Sequence, residues 1–316
     1  MIQTTKLLPF LACAVLFSLP AAQAPPVPDP PRAPEMPDES HRLLAEHAAQ
    51  SHGLAAQQAG WIAQGAYDED HCGFTSYPPC QFAIPNGHHS WDPDTGLWWE
   101  VPLWPDLGSG LTRAHNLFSR GLEAREVGQT EAAYLWLGRA IHILGDMATP
   151  AHVHLDIHLP PFDSDRYELW LNEDDLANTR IWIAGHPPGL AWDLEVSRLP
   201  AWSELDPDLQ AQLQAASQAY GGRASGQELW QQGPADHDPV VFRLMYLMAE
   251  AADDWNSNDV AGEQYNGDLT DPAYLAQMRD ALFPTLVPYC AALIDYFESL
   301  APPGPGYRVY LPAIQR

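Results

Sequence analysis

The chain has 316 residues, with 41 Asp and Glu against 15 Lys and Arg, for a formal net charge of −26. Such a charge argues against nucleic acid and anionic lipid as non-specific partners, and suits an extracellular protein that attracts cations. The acids are spread along the chain, as on a solvated surface.

Residues 1–24 carry one positive charge (Lys6), an apolar core from Leu7 to Leu19 and small residues at Ala22 and Ala24. This pattern predicts a secretory signal peptide, and the apolar run is too short for a transmembrane helix. No other long apolar run follows, so a secreted chain without a transmembrane segment is expected. Removing this segment takes away one lysine and no acid, so 14 basic and 41 acidic residues remain, a formal charge of −27. Residues 25–38 are proline-rich and read as an extended spacer. Residues 39–301 read as one helical domain, and 302–316 as a C-terminal tail.

Ser40 is a plausible N-cap for the amphipathic stretch from His41 to Ala66, a helix or a helix pair. Residues 67–107 are rich in Pro, Gly, Asp, Trp and His and lack helical periodicity. A loop of that length inside a compact domain is usually functional. It holds Cys72 and Cys80, whose pairing an oxidising compartment would favour. Cys290 lies in an apolar run and reads as a buried thiol, and the absence of a CxxC spacing argues against zinc ligation by cysteine. Trp91, Trp98, Trp99 and Trp104 either pack in the core or line an apolar mouth. Helical patterning resumes over 109–128 and 129–147, with Pro150 as terminator, and again over 165–184. After an irregular segment from 183 to 204, further helical runs are expected at 207–220, 238–256 and 271–300. Strand signals are nearly absent, so the class is all-α, a single multi-helix domain with long irregular loops.

The chemistry concentrates in RAIHILGDMATPAHVHLDIH. His142 and Asp146 are four apart and share a helix face, a spacing at which two side chains grip one metal ion. A turn after Pro150 would fold His152 back towards that face. His154, Asp156 and His158 would share one side if this piece were extended. Eight of the thirteen histidines fall between residues 71 and 158, interleaved with acids. That concentration favours a metal site over a set of structural histidines. GAYDEDHC adds Asp68, Asp70 and His71; NGHHSWDPDTG adds His88, His89, Asp92 and Asp94. DPDTG reads as a tight turn and also resembles part of an oxygen-rich calcium loop.

YLWLGRAIHILGDMATPAHV, with the upstream HHSWDPDTG, resembles the bacterial zinc-dependent phospholipase C family. The wider superfamily includes zinc nucleases specific for single strands. The resemblance runs from about His41 to Leu300. It implies two to three zinc ions, two of them bridged by an Asp. Carried over, Asp146 is the bridge, and His142, His89 and Asp70 complete one ion of the pair. His41 serves the other, and His152 and Glu168 hold a third. The family's N-terminal Trp has no counterpart before His41. Ser164 stands where the family has a His, so His158 is the substitute ligand, with His154 and Asp156 behind it. The resemblance implies hydrolysis of a phospholipid or other phosphodiester, with Asp70 or Asp68 taking the proton of the attacking water and with room for peripheral membrane contact. Two other readings stand beside it: a single-strand nuclease or nucleotidase, which the net charge opposes, and a secreted metal-binding protein with a degenerate site.

Overall fold

A computed structural model describes residues 39–71, 89–98, 108–156, 165–189, 195–220 and 223–300. The expected signal peptide, spacer, tail and Cys72–Cys80 pairing lie outside the described residues, as do His158 and Ser164.

The expected first helical stretch is a pair. α1 (Glu39–Ser51) and α2 (Ala56–His71) are separated at Gly53, whose φ of +87° favours glycine. α2 runs five residues past the expected boundary and carries Asp68, Glu69 and Asp70 on helix rather than loop. The buried Arg139 and the half-buried Arg113 compensate Glu69 there. Ser109 caps α3 (Gly110–Glu126) by accepting from the Thr112 amide. α4 (Thr130–Asp146) follows and is buried along its whole last half.

Pro150 does not end that helix. α4 stops at Asp146, and Pro150 opens a single further turn, α5 (Pro150–Val153), where its missing N–H costs nothing. Leu155 then takes a φ of +55°, so His154 and Asp156 do not lie on the extended piece that alternation suggested. α6 (Arg166–Gly185) starts on Asp165, which accepts from the Glu168 amide. Two short 3₁₀ turns, Val196–Arg198 and Trp202–Glu204, occupy the irregular stretch. α7 (Pro207–Ala216), α9 (Pro239–Asp253) and α10 (Pro272–Ser299) fill the expected runs. α8 (Gly226–Gln232) is unanticipated, although Ser225 and Glu228 are a start signal: the Ser225 hydroxyl accepts from the Glu228 amide.

No strand occurs among the described residues, and the class is all-α. No helix among them is long and apolar enough to cross a membrane. α4 lies at the centre of the core and packs on α2 and α3. Two glycines set the α2–α4 distance. A Cβ on Gly65 would overlap the Leu135 carbonyl, and one on Gly138 would overlap the Ile62 carbonyl. The two backbones therefore touch one to two turns from the residues that carry the chemistry.

Candidate metal centre

α2 and α4 bring their last turns together. His142 donates from Nδ1 to the Ala66 carbonyl at 2.7 Å, which fixes the hydrogen on Nδ1 and leaves Nε2 as the free ligand edge. One turn beyond Ala66, Asp70 sets Oδ2 3.1 Å from that Nε2, while Asp146 sets Oδ1 3.5 Å from it. His89 enters from the loop between α2 and α3. Its neighbours pin it: the Trp91 amide donates to the His152 carbonyl, and the Gly110 amide donates to the Ser90 carbonyl. Trp91 is fully buried against Tyr220, Phe242 and Tyr246, which settles it as a core residue. His89 Nδ1 then stands 3.3 Å from Asp70 Oδ1 and 3.0 Å from Asp146 Oδ2.

First turns of other helices complete the opposite side. His41 on α1 approaches Asp146 Oδ1 to 3.4 Å and Glu168 Oε1 to 3.8 Å, and its ring lies 4.3 Å from that of His142. It reaches there because residue 145 is glycine; a Cβ at that position would overlap the imidazole. The Ser40 amide donates to Asn172 Oδ1, and Asn172 Nδ2 donates to the Glu168 carbonyl, so the starts of α1 and α6 are tied together. His152 on α5 places Nε2 3.3 Å from Glu168 Oε1 and 4.0 Å from Asp146 Oδ1.

Three adjoining ligand groups result: Asp70–His89–His142, His41–His142–Asp146, and Asp146–His152–Glu168. Each has its ligating atoms within 4.8 Å of one another, and each could hold a metal ion. Three observations fit a cation better than a plain hydrogen-bond network. His142 Nε2 and Asp146 Oδ2 are buried and make no hydrogen bond, although ligating atoms surround them. Ligands about 2.0–2.1 Å from a tetrahedral ion stand about 3.3 Å apart, the spacing on the α2–α4 side. Asp70 and Asp146 also lie at helix C-termini, where the backbone dipole repels negative charge and a cation would relieve it.

The electrostatics agree. Burial opposes charging His142, but Asp70 and Asp146 overcome it and push its pKa up to about 10. Burial likewise opposes charging His89 and His152. Asp146 and Asp70 hold His89 well above its ordinary value, and Asp146 and Glu168 raise His152. Burial would raise Asp146, yet His142, His89 and His152 hold its carboxyl below the usual range.

Seven of the expected ligands therefore converge: His41, Asp70, His89, His142, Asp146, His152 and Glu168. Asp68 does not join them. It sits two residues from Asp70, on another helix face, and its Oδ1 accepts from Gln64 at the exposed surface. His154 turns away to Asp253 at 3.1 Å, and Asp156 accepts from the Asp259 amide, so neither backs up His158. Asp92 accepts from the Asp94 and Thr95 amides and the Thr95 hydroxyl, confirming the tight turn. Asp94 instead meets Asp253 and Glu263 in a separate acidic group. There burial, with Asp253, Asp92 and Glu263, pushes Asp94 up to about 6, and burial with Asp94 pushes Glu250 up to about 8.

Sequence reasoning missed Glu69. Its side chain is 1% exposed, receives Arg113 Nε and Nη2 at 2.6 Å, and stands 3.5 Å from Arg139 Nη1. Burial would raise its pKa, but His89, Arg113 and Arg139 hold it down at about 2. The signal that could have found it is Arg139, a charge inside the apolar run YLWLGRAIHIL that needs a buried acid.

No protein-family model matches this chain, and no curated protein matches it.

Proposed function

We propose that the chain is a secreted, zinc-dependent phosphodiester hydrolase of the phospholipase C type. One observation carries the reading: three His–carboxylate groups adjoin one another, with Asp146 common to two and His142 common to two. Adjoining ions are the arrangement that clamps both oxygens of an in-line phosphoryl displacement. The spacing of YLWLGRAIHILGDMATPAHV, which resembles the zinc phospholipases, supports it as well.

The residues present fit zinc by donor type, nitrogen with carboxylate oxygen, and by spacing. His41, Asp70, His89, His142, Asp146, His152 and Glu168 would hold it. Zinc bound there supplies a Lewis acid for phosphoryl oxygen and lowers the pKa of water towards neutrality.

The chain's own residues do the rest. The Ala66 carbonyl keeps the His142 hydrogen on Nδ1, so the ring is presented in one tautomer. Asp146, 2% exposed, is closed to solvent, whereas Asp70 is 18% exposed. Asp70 is thus, on the α2–α4 side, the acid within reach of a solvent molecule, and its carboxylate takes the proton as water attacks phosphorus. The new O–P bond forms as the bond to the diacylglycerol oxygen breaks; that oxygen takes a proton from solvent, releasing a diacylglycerol and a phosphorylated head group.

Metal analysis of the purified protein, paired with hydrolysis of phosphatidylcholine vesicles and of a chromogenic phosphodiester, tests the reading. Two to three zinc ions per chain and turnover of either substrate are expected. Zinc with no turnover of either would replace it with non-catalytic metal binding, and His142→Ala leaving zinc content unchanged would refute the site.

A further inference from the structure

Glu69 and Asp70 are consecutive on α2, so their side chains diverge by about 100° around the helix. His89 lies between them. Its Nδ1 faces the metal-ligating carboxylates of Asp70 and Asp146, at 3.3 and 3.0 Å. Its Nε2 faces Glu69 Oε1 at 3.8 Å, an ion-pair distance rather than a hydrogen bond. His142 settles the same question of tautomer with a backbone carbonyl. His89 comes from a loop and meets a carboxylate instead.

That carboxylate is unusually costly to keep. Glu69 and Arg139 are each 1% exposed, and Arg113 is 12% exposed. Two of the chain's 15 basic residues thus pair with one acid. Buried ionic trios of this kind are often no more stable than apolar residues of the same volume, so stability alone is a weak reason for one beside a ligand. We infer that Glu69, fixed by Arg113 and Arg139, is a positioning residue that holds the hydrogen of His89 on Nε2 and thereby commits Nδ1 to the metal. Carboxylates serve metal-bound histidines in this way generally, but here the acid adjoins another ligand in sequence and carries its own pair of arginines.

The inference rests on the zinc reading above. Long-range ¹H–¹⁵N NMR of the histidine rings in the zinc-loaded wild-type protein tests it, with His89 assigned by the His89→Gln spectrum. The expected pattern is a metal-shifted Nδ1 and a protonated Nε2. Zinc bound through Nε2 overturns this inference alone, whereas a protein that takes up no zinc overturns the reading beneath it too. Zinc competition titrations give a second readout. Glu69→Ala weakens the tightest site about 10- to 100-fold, and Glu69→Gln, which keeps an acceptor, recovers most of the loss. A Glu69→Ala affinity within about twofold of wild type overturns the inference, since a purely structural role would lower melting temperature and leave the affinity of the folded protein unchanged.

Discussion

On the α2–α4 side of Asp146, the ligands stand on the last turns of two long helices whose backbones touch at Gly65 and Gly138. His142 is anchored through its second nitrogen to Ala66, and His89 is backed by Glu69. On the other side, His41, His152 and Glu168 each occupy the first turn of a helix, and α5 is a single turn. The spacings there reach 3.8 and 4.0 Å. First turns open locally at lower free-energy cost than packed helix interiors. One side is thus preformed, while the other depends on how three helix starts are tied together.

Asp146 is common to both sides, so Asp146→Asn should have the largest effect. Zinc should be lost from both, and hydrolysis should fall about 10³-fold or more, equivalent to roughly 4 kcal/mol of transition-state stabilisation. Metal analysis and initial rates check this together. Retention of full zinc content would mean the two sides do not share a ligand.

The raised imidazole values predict a pH dependence with a definite sign. In the metal-free protein His142, pushed up to about 10, carries a proton at neutral pH, and the neighbouring carboxylates shift His89 and His152 in the same direction. Their stabilisation of the metal-free fold is complete below the ordinary imidazole value and disappears as pH rises through the folded values. Zinc must displace those protons, so zinc affinity should rise with pH, by about 100-fold per unit where two are released. Calorimetry in buffers of different ionisation enthalpy counts them. On chelator titration, the α5–α6 side should empty first.

Gly145→Ala separates the two sides. The added methyl pushes His41 away, so the second ion should weaken about 10-fold while the Asp70–His89–His142 ion stays, an outcome read by stepwise zinc titration. The smallest effect is expected at Asp68. Asp68→Asn should leave turnover within about twofold, because its carboxylate faces Gln64 rather than the cluster, whereas Asp70→Asn should abolish most of it.

Helical periodicity made most of the fold readable, and it put His142 and Asp146 on one face without further help. The boundaries were harder. The acids of α2 read as loop because nothing local reveals that Arg113 and Arg139 wait on two other helices. Pro150 read as a stop because a proline that ends one helix and one that opens the next have the same local signature. His41, His89 and Glu168 lie far from α4 in sequence, and no period links them to it; only the motif resemblance gathered them. Glu69 was hidden among three consecutive acidic positions that resemble a solvated face.

The glycine contacts between α2 and α4 also bear on the dimensions of the candidate site. Because main chain meets main chain there, the helix axes fix how closely the backbones of Asp70 and His142 approach. A methyl group at either glycine would meet the facing carbonyl and force the helices apart. The dimensions of the cluster are therefore held in part by Gly65 and Gly138, two residues that lie outside it.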